Sequence, residues 1–396
     1  MQKIKLIGLF ILIAPLIGCK SSDNKYIDVA SYVDTTGKVA CSDKIQELIN
    51  NNPNRTLYFR DGTYLLNHQI LTPGHPEKSV DLQLSNYAIL KASDDYQVKR
   101  TEEIKAEEKW KDEYLYMVSL GGLDRTKDGP NLPTKPGSNY SLTGGIIDGN
   151  GRAAGVEIAG GRETRIQNVT MKNVQIGIYI GFGANNGSSD ADIFNVDISC
   201  NDAVDSYGLK LKGSDNSVTN ARLNRVTHGV LTTGGTNILR NVHPLHNGEA
   251  LNQHYNESIG FEINSFTQLN NCYSDNFRIA FKLNNNRSFI TDCIAWWFNA
   301  GGEHHEQYCI YRESDEFNAS ITNFVAGFRK KDKSPITAKI MNAKDETKKL
   351  GDGFIQNIRA NLLDQIIDVN KDGDVYKPAT DSLLKEYCRD EAIHKY

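Results

Sequence analysis

Three features that would point to other classes of protein are missing from this sequence. The charges are nearly balanced, with a net charge of -4 at pH 7, so the basic excess typical of nucleic-acid-binding proteins is absent. None of the seven cysteines belongs to a Cys-x-x-Cys pair, the usual sign of a zinc site. No long stretch rich in serine, glycine and proline divides the 396 residues. We therefore expect one elongated, monomeric domain that does not bind nucleic acid.

The apolar run near the N terminus is too short to cross a membrane comfortably. Lys3 and Lys5 precede the run at 6–16, and Leu16-Ile17-Gly18-Cys19 is followed by polar residues. This arrangement resembles a bacterial lipobox, which implies that residues 1–18 are a signal peptide and that Cys19 is lipid-modified. We then expect an outer-membrane lipoprotein of a Gram-negative-type bacterium, at the cell surface or on the periplasmic face, with 19–25 as a tether. An ordinary cleaved signal followed by a chance cysteine is the alternative.

A repeat that returns every 21 to 31 residues dominates the middle of the chain. Each copy has an aliphatic residue, any residue, and then Asn or Asp. The Asn or Asp positions are Asn168, Asn195, Asn220, Asn241, Asn271, Asp292 and Asn323. A repeat of this length predicts a solenoid, in which each unit buries its apolar face against its neighbours. The repeated Asn or Asp is interpreted as a polar ladder or a turn signal.

The segments at both ends of the repeat are predicted to be caps. A short helix is expected after Ser42 or Asp43, followed by strands at 56–59 and 64–66. The Lys- and Glu-rich residues 93–113 suggest a solvated helical excursion. We expect the β-helix with its N-terminal cap to cover 26–350. A C-terminal cap at 351–396 is expected to contain strands and a helix from Ser382 to Ile393.

Several motifs resemble the pectate-lyase-like superfamily. They are Asp28-Val29 to Gly37, Asp43-Lys44-Ile45-Gln46, Leu57-Tyr58-Phe59-Arg60-Asp61-Gly62-Thr63-Tyr64 and Gly144-Gly145-Ile146-Ile147-Asp148-Gly149-Asn150-Gly151. The resemblance implies an all-β, single-domain, right-handed parallel β-helix with an N-terminal helical cap, in a superfamily of polysaccharide lyases and polygalacturonase-type hydrolases. It covers most of residues 26–330. The catalytic set of polygalacturonases is absent, because Asn201-Asp202-Ala203-Val204-Asp205 and Thr227-His228-Gly229 match it only faintly.

A second marker, a small residue that opens the next strand, follows each repeated Asn or Asp. It lies 9, 13, 9, 19, 9 and 17 residues later, at Gly177, Gly208, Gly229, Gly260, Ala280 and Cys309. Nine residues make the bare coil, so the longer connections are insertions. Because coils stack in register, the insertions after 200, 243 and 295 should lie along one flank. Loops on a rigid scaffold commonly carry function.

Titratable and aromatic residues cluster in and beside these insertions. The candidate catalytic residues are His254, Tyr255, Arg278, His228, His246 and Lys210. The candidate substrate-binding residues are Arg225, Glu262, Lys282, Trp296, Trp297, His304, His305 and Tyr311.

Alternation in the strands after the marker predicts which of their residues face outward. One outward column should contain Tyr179, Lys210, Leu231, Glu262, Lys282 and Tyr311, and the next Lys212, Asn264, Asn284 and Glu313. Cationic and aromatic side chains on one face suit an acidic polysaccharide.

We expect β-elimination at this groove. Arg278 or Arg225 could neutralise the uronate carboxylate, a histidine or Lys210 could remove the adjacent proton, and Tyr255 could protonate the departing oxygen. Hydrolysis by two carboxylates is an alternative, with Asp202, Asp205, Glu249, Glu257, Glu262 and Glu303 as candidates. Non-catalytic glycan binding at the cell surface is a second alternative.

Two further features leave alternatives open. Cys272 and Cys293 should point inward on adjacent coils, where they could form a disulfide or two buried thiols. Asp368, Asn370 and Asp372 match the first half of a calcium loop, but the twelfth position is Ala379, so a tight Asp-Gly turn explains them equally well. No cofactor is required by the sequence, and calcium is a possible structural ion.

Overall fold

The computed structural model describes residues 26–73, 76–97, 116–123, 125–126, 129–130, 140–181, 190–246, 254–284, 287–297, 307–313, 318–328, 338–341, 354–360 and 393–395. Two parallel sheets account for most of these residues. The helices within them are Ser42–Asn51 and the 3-10 turns Val29–Ser31, Pro76–Lys78 and Tyr255–Glu257. A short antiparallel pair joins Arg125–Thr126 to Gly129–Pro130.

The first sheet has 20 strands in the described part of the chain. They are Tyr26–Asp28, Thr36–Ala40, Thr56–Phe59, Gly62–His68, Asp81–Leu84, Ala88–Gln97, Ser141–Thr143, Ile146–Asp148, Arg165–Gln167, Thr170–Val174, Asp192–Cys200, Ser217–Asn224, Asn237–Leu245, Thr267–Asn270, Tyr273–Asp275, Phe289–Thr291, Ile294–Trp297, Ser320–Phe328, Phe354–Ala360 and Ile393–Lys395.

The second sheet has 10 strands in the same described residues. They are Ile70–Leu71, Tyr116–Leu120, Ala154–Ile158, Ile176–Ile180, Tyr207–Leu211, His228–Thr232, Ile259–Ile263, Ile279–Leu283, Gln307–Arg312 and Ala338–Met341. The chain alternates between the two sheets, and each strand pairs in parallel with its equivalent one coil away. The protein is therefore a parallel β-helix, as predicted.

The repeat sets the register of the first sheet. Ile166 pairs with Ile193, Ile193 with Val218, and Val218 with Leu239. The same column continues through Leu269, Ile290 and Ile321. All of these side chains are buried in one continuous core between the sheets. The predicted solenoid period is thus confirmed.

The repeated Asn or Asp forms a turn inside the first sheet. All seven members have positive φ angles, between 51° and 58°. Asn and Asp tolerate this left-handed conformation better than most residues, because their short polar side chains hydrogen-bond locally. Asn195 Nδ2 donates to Asn168 Oδ1 at 2.8 Å, and Asn241 Nδ2 donates to Asn220 Oδ1 at 2.7 Å. The predicted polar ladder is confirmed.

The small marker residue is required by the close approach of neighbouring strands in the second sheet. A Cβ atom on Gly229 would lie 2.3 Å from the Gly260 carbonyl oxygen and 2.5 Å from Pro244 Cβ. The next residue of each strand points into the core, where Phe261 and Phe281 stack with their ring centroids 4.8 Å apart. The marker thus reports tight packing between successive coils.

The five cysteines in the described residues are buried and carry free thiols. Cys272 and Cys293 lie on adjacent coils of the core, and burial raises the pKa of Cys293 well above its ordinary value. Of the two alternatives for this pair, the structure has the buried thiols.

At the N-terminal end, the helix Ser42–Asn51 packs Ile45, Leu48 and Ile49 against the core. The helical excursion expected over 93–113 is wrong at its start, because Ala88–Gln97 is one continuous strand. Towards the C terminus, Phe354–Ala360 adds a further parallel strand beside Ser320–Phe328. Most of the helix expected from Ser382 to Ile393 lies outside the described residues.

Candidate functional site

The outward face of the second sheet brings the predicted columns together. Tyr179 pairs with Lys210, Lys210 with Leu231, Leu231 with Glu262, Glu262 with Lys282, and Lys282 with Tyr311. In the next column the Asn284 amide donates to Asn264 Oδ1. We call this surface the second-sheet face. The predicted order of its residues is confirmed.

Two carboxylates share one ammonium group on the second-sheet face. Lys282 Nζ lies 3.1 Å from Glu262 Oε1 and 2.6 Å from Glu313 Oε1. These two oxygens can be no farther apart than the sum of the two distances, about 5.7 Å. Burial alone would lower the pKa of Lys282, but Glu313 and Glu262 outweigh it and raise that pKa above its ordinary value.

Aromatic rings and a histidine lie beside this pair. The Tyr207 and His228 rings stack with centroids 4.5 Å apart, and Lys210 Nζ lies 5.0 Å from the Tyr207 centroid. Burial lowers the pKa of His228, and the opposing charges of Glu262 and Lys282 act after it. His228 is therefore neutral near pH 7. Such a neutral imidazole can accept a proton.

The inserted connections all enter the second sheet at the same end of its strands. They follow the first-sheet strands that end at Cys200, Leu245 and Trp297, and they lead to the second-sheet strands that begin at Tyr207, Ile259 and Gln307. The uninserted connections between them, at 225–227 and 276–278, are three residues long. The predicted alternation of long and bare coils along one flank is thus confirmed.

Two arginines on this flank hold the connections in place. Arg225 Nε donates to Asp202 Oδ2 at 2.7 Å, which joins one insertion to the next coil. Arg278 Nη1 donates at 3.1 Å to the carbonyl oxygen of Asn256, which lies within the 3-10 turn that His254 precedes. Both guanidinium groups therefore have a structural partner. Each retains further N–H donors for a ligand.

Three predicted site residues lie in the interior. Tyr255 is 3% exposed and His246 is 2% exposed, and their rings meet edge to face. Trp297 is fully buried, and its Nε1–H donates to the Phe277 carbonyl oxygen at 2.7 Å. Burial raises the pKa of Tyr255 and lowers that of His246 to about 4. The prediction that His246 and Tyr255 are catalytic and that Trp297 binds substrate is therefore wrong.

Trp296 lies away from the second-sheet face, whereas Tyr311 lies on it, as predicted. Trp296 is half-buried on the first sheet, where it pairs with Asp275 rather than with a residue of the second-sheet face. Tyr311 lies on the second-sheet face and packs edge to face against Tyr308, with centroids 5.2 Å apart. His304, His305, Asp368, Asn370, Asp372 and Cys19 lie outside the described residues.

Sequence reasoning placed Glu313 in the second outward column but did not include it in the site. Register alone gives the backbone position of a residue, whereas the contact depends on the Lys282 side chain reaching across to it. The described residues contain no group of three or more His, Cys, Asp or Glu that could hold a metal ion. Among the same residues, no helix is long and apolar enough to span a membrane.

The sequence matches no family model and no curated protein. The structure resembles an exopolygalacturonase from Thermotoga maritima, with a TM-score of 0.56 and 11% identity over 85% of this chain and 87% of the other. A Family 28 exopolygalacturonase from Yersinia enterocolitica gives 0.52 and 12%, over 85% and 71% of the two chains. The ORF18 protein of Geobacillus virus E2 gives 0.53 and 13%, over 85% and 61%. The chain shares the right-handed parallel β-helix fold of these structures.

Proposed function

We propose that this protein is a carbohydrate-active enzyme that hydrolyses an acidic polysaccharide on the second-sheet face. The observation that carries the proposal is the pair of carboxylates, Glu262 and Glu313, held by Lys282 with oxygens no more than about 5.7 Å apart. Retaining glycosidases use carboxyl groups about 5–5.5 Å apart, whereas inverting enzymes need about 6.5–9.5 Å to admit water. The upper bound on the oxygen separation lies below the inverting range, so we propose a retaining reaction.

The exposure of the two glutamates suggests how they divide the reaction. The Glu262 side chain is 16% exposed and suits the nucleophile, which attacks the anomeric carbon as Glu313 protonates the departing oxygen. The Glu313 side chain is 42% exposed, so it can exchange protons with solvent. It then removes a proton from water, which displaces Glu262 and releases the sugar. Lys282 keeps both carboxylates in place.

The surroundings of the pair favour a substrate that carries carboxylates. Lys210, Arg225 and Arg278 lie on the same face or on its flank. Two of the structures with this fold are exopolygalacturonases, which supports a uronic-acid polymer. The substrate class is therefore a polymer of the pectin, alginate, ulvan or glycosaminoglycan kind.

A single assay tests the proposal. The purified protein is incubated with polygalacturonate, alginate and a glycosaminoglycan while reducing ends and the ultraviolet absorbance of an unsaturated product are followed. Hydrolysis raises reducing ends alone. If both signals rise, the reaction is elimination and the assignment of Glu262 as nucleophile is wrong. Binding without either signal would leave a non-catalytic glycan-binding protein.

Elimination is the second candidate, and the position of His228 against Tyr207, beside Lys210, is the observation that favours it. Its pKa is lowered by burial, and Tyr207 holds its ring beside Lys210. An imidazole of this kind could remove the proton next to a uronate carboxylate, and Lys210 could neutralise that carboxylate. The two candidates predict different variants. His228→Asn should abolish elimination, whereas hydrolysis by Glu262 and Glu313 should survive it in large part.

The lipid anchor at Cys19 belongs to the same proposal. A polar tether at 19–25 would hold the β-helix close to an outer membrane, where polysaccharide fragments are captured. Expression with the native N terminus and mass spectrometry of the mature protein would test this. A diacylated Cys19 and release of Cys19→Ser into the soluble fraction are expected. An unmodified N terminus after a different cleavage site would remove the anchor from the proposal.

A further inference from the structure

A polar groove runs along the bend of the first sheet, on a different sheet from the proposed reaction site. Its volume is about 640 Å³, and it spans four coils, from Asn168 to Asn241. Three strand spacings of about 4.8 Å separate these coils, so the groove is roughly 14 Å long. We call it the turn groove. It has the shape to take an extended chain rather than a single small ion.

The charged residues of the turn groove lie in one register column. In the register of the parallel strands, Asp197 lies opposite Arg222, and Arg222 lies opposite His243 on the next coil. The asparagine ladder forms the adjacent wall, where Asn195 and Asn241 donate to the side-chain carbonyl oxygens of their neighbours. The wall therefore presents amides at the regular spacing of the strands.

Arg222 is the residue that points to an anion. Its side chain is exposed, and it makes no ion pair with the residues that the structure describes. A guanidinium offers five N–H donors in a planar fork that matches a carboxylate. Arg225, in the connection that follows the strand of Arg222, is in contrast ion-paired with Asp202 at 2.7 Å. Arg222 thus differs from Arg225 in having no ion-pair partner among the described residues.

His243 lies next to Arg222 and is held in a fixed orientation. Its ring stacks on Tyr273 with centroids 4.2 Å apart, and its Nε2 atom lies 3.5 Å from Asp275 Oδ2. Asp275 is buried, at 6% exposed. The contact is within ion-pair range, and no hydrogen bond forms at His243 Nε2 among the described residues. In the sequence, Tyr273 and Asp275 are alternate residues of one strand, and His243 belongs to another strand.

We propose that the turn groove is a second, non-catalytic binding site for an acidic oligosaccharide. A uronate carboxylate would bind the Arg222 guanidinium next to His243, and the sugar hydroxyls would hydrogen-bond the asparagine amides. The identity of the ligand rests on the proposed function, whereas the site itself does not. Such a site would hold one part of a polymer while another part occupies the second-sheet face, which raises the effective concentration of substrate.

The test uses calorimetry of the full chain carrying Glu262→Gln, which keeps substrate intact, with a galacturonic acid hexamer as the probe. Two binding sites per chain are expected. Adding Arg222→Ala should leave one, or weaken one at least about tenfold, because a charge-assisted hydrogen bond is lost. Arg240→Ala is the matched control, since Arg240 is exposed on a neighbouring strand of the same sheet but outside the groove.

Further measurements distinguish a failure of this proposal from a failure of the proposed function. If the wild-type protein cleaves nothing but Arg222→Ala still removes a binding site, only the proposed function fails. If Arg222→Ala and Arg240→Ala bind the hexamer with the same stoichiometry and affinity as the parent, the turn groove is not a binding site. Equal binding of the fully methyl-esterified hexamer would overturn the role of the carboxylate. Thermal unfolding of each variant confirms that its fold is retained.

Discussion

The second-sheet face and the turn groove differ in whether their cationic side chain is ion-paired. On the second-sheet face, Lys282 lies between two carboxylates and is mostly buried. In the turn groove, Arg222 is exposed and has no ion-pair partner in the described part of the chain. A charge held by neighbours keeps reactive groups at fixed positions, whereas an unpaired guanidinium remains available to a ligand. The first arrangement suits bond cleavage and the second suits binding.

The largest expected effect belongs to the carboxylate pair. Glu262→Gln and Glu313→Gln should each lower kcat/KM about 10³-fold, because each removes a group that transfers a proton or attacks the sugar. Glu47→Gln is the control, since Glu47 pairs with Lys44 on the N-terminal helix, far along the chain from this face. Rates are measured by reducing-end release. If both variants keep more than a tenth of the wild-type rate, the pair is not catalytic.

The next largest expected effect is the pH dependence of the unfolding free energy, which tests whether His246 lies in the interior rather than on the second-sheet face. Burial lowers the pKa of His246 from 6.5 to about 4, so below pH 6.5 the unfolded chain binds a proton that the folded protein does not. Stability is therefore full above pH 6.5 and falls by about 3 kcal/mol as the pH falls to 4. Urea unfolding at pH 7 and pH 4.5 should show a smaller loss in His246→Leu.

Phe277→Leu is the control for this pH effect. Phe277 packs edge to face against His246, with centroids 5.8 Å apart, but does not titrate. The variant should be less stable at both pH values and keep the wild-type difference between them. An unchanged pH dependence in His246→Leu would mean that His246 is open to solvent. It would then return to the list of candidate bases.

Packing between coils gives a smaller expected effect. Gly229→Ala should cost about 1–3 kcal/mol of unfolding free energy, because its Cβ would lie 2.3 Å from a backbone oxygen. Gly235→Ala is the matched control, since no atom lies within 4 Å of the Cβ it would add. Urea unfolding measures both. Equal stabilities would show that the coils can separate locally at the second sheet.

The smallest expected effect concerns the asparagine ladder. Asn220→Ala should cost about 1–2 kcal/mol, because alanine does not favour the φ of 58° at this turn. It also removes the acceptor of the Asn241 amide at 2.7 Å. Asn220→Gly should recover most of the backbone part, since glycine adopts positive φ freely. A large loss of cleavage activity in Asn220→Ala with unchanged stability would place the reaction at the turn groove instead.

Much of the fold follows from the sequence because parallel coils repeat in register. The spacing of Asn168, Asn195 and Asn220 predicts the coils, and the small residue nine or more positions later predicts the second sheet. Alternation then places Glu262 and Lys282 side by side on the outward surface. Each of these steps depends only on backbone geometry, which a repeat makes regular.

The site is less predictable because its details depend on side chains and on the residues at the ends of insertions. The sequence predicts Trp297 as a substrate-binding residue, but it continues the inward alternation of Cys293 and Ala295. Counting by twos from Cys293 would have placed it in the core. No such count applies to Tyr255, which lies within an inserted connection and turns inward beside His246. Insertions interrupt the register that made the columns predictable.

A crystal structure of the Glu262→Gln variant with a galacturonic acid oligosaccharide tests the division between the two surfaces most directly. The ligand should lie across the second-sheet face, with a glycosidic oxygen between the amide introduced at position 262 and the Glu313 carboxylate. A second segment should occupy the turn groove, with a carboxylate on Arg222. An oligosaccharide bound only elsewhere, with the second-sheet face empty at saturating concentration, would contradict the assignment of the reaction to that face.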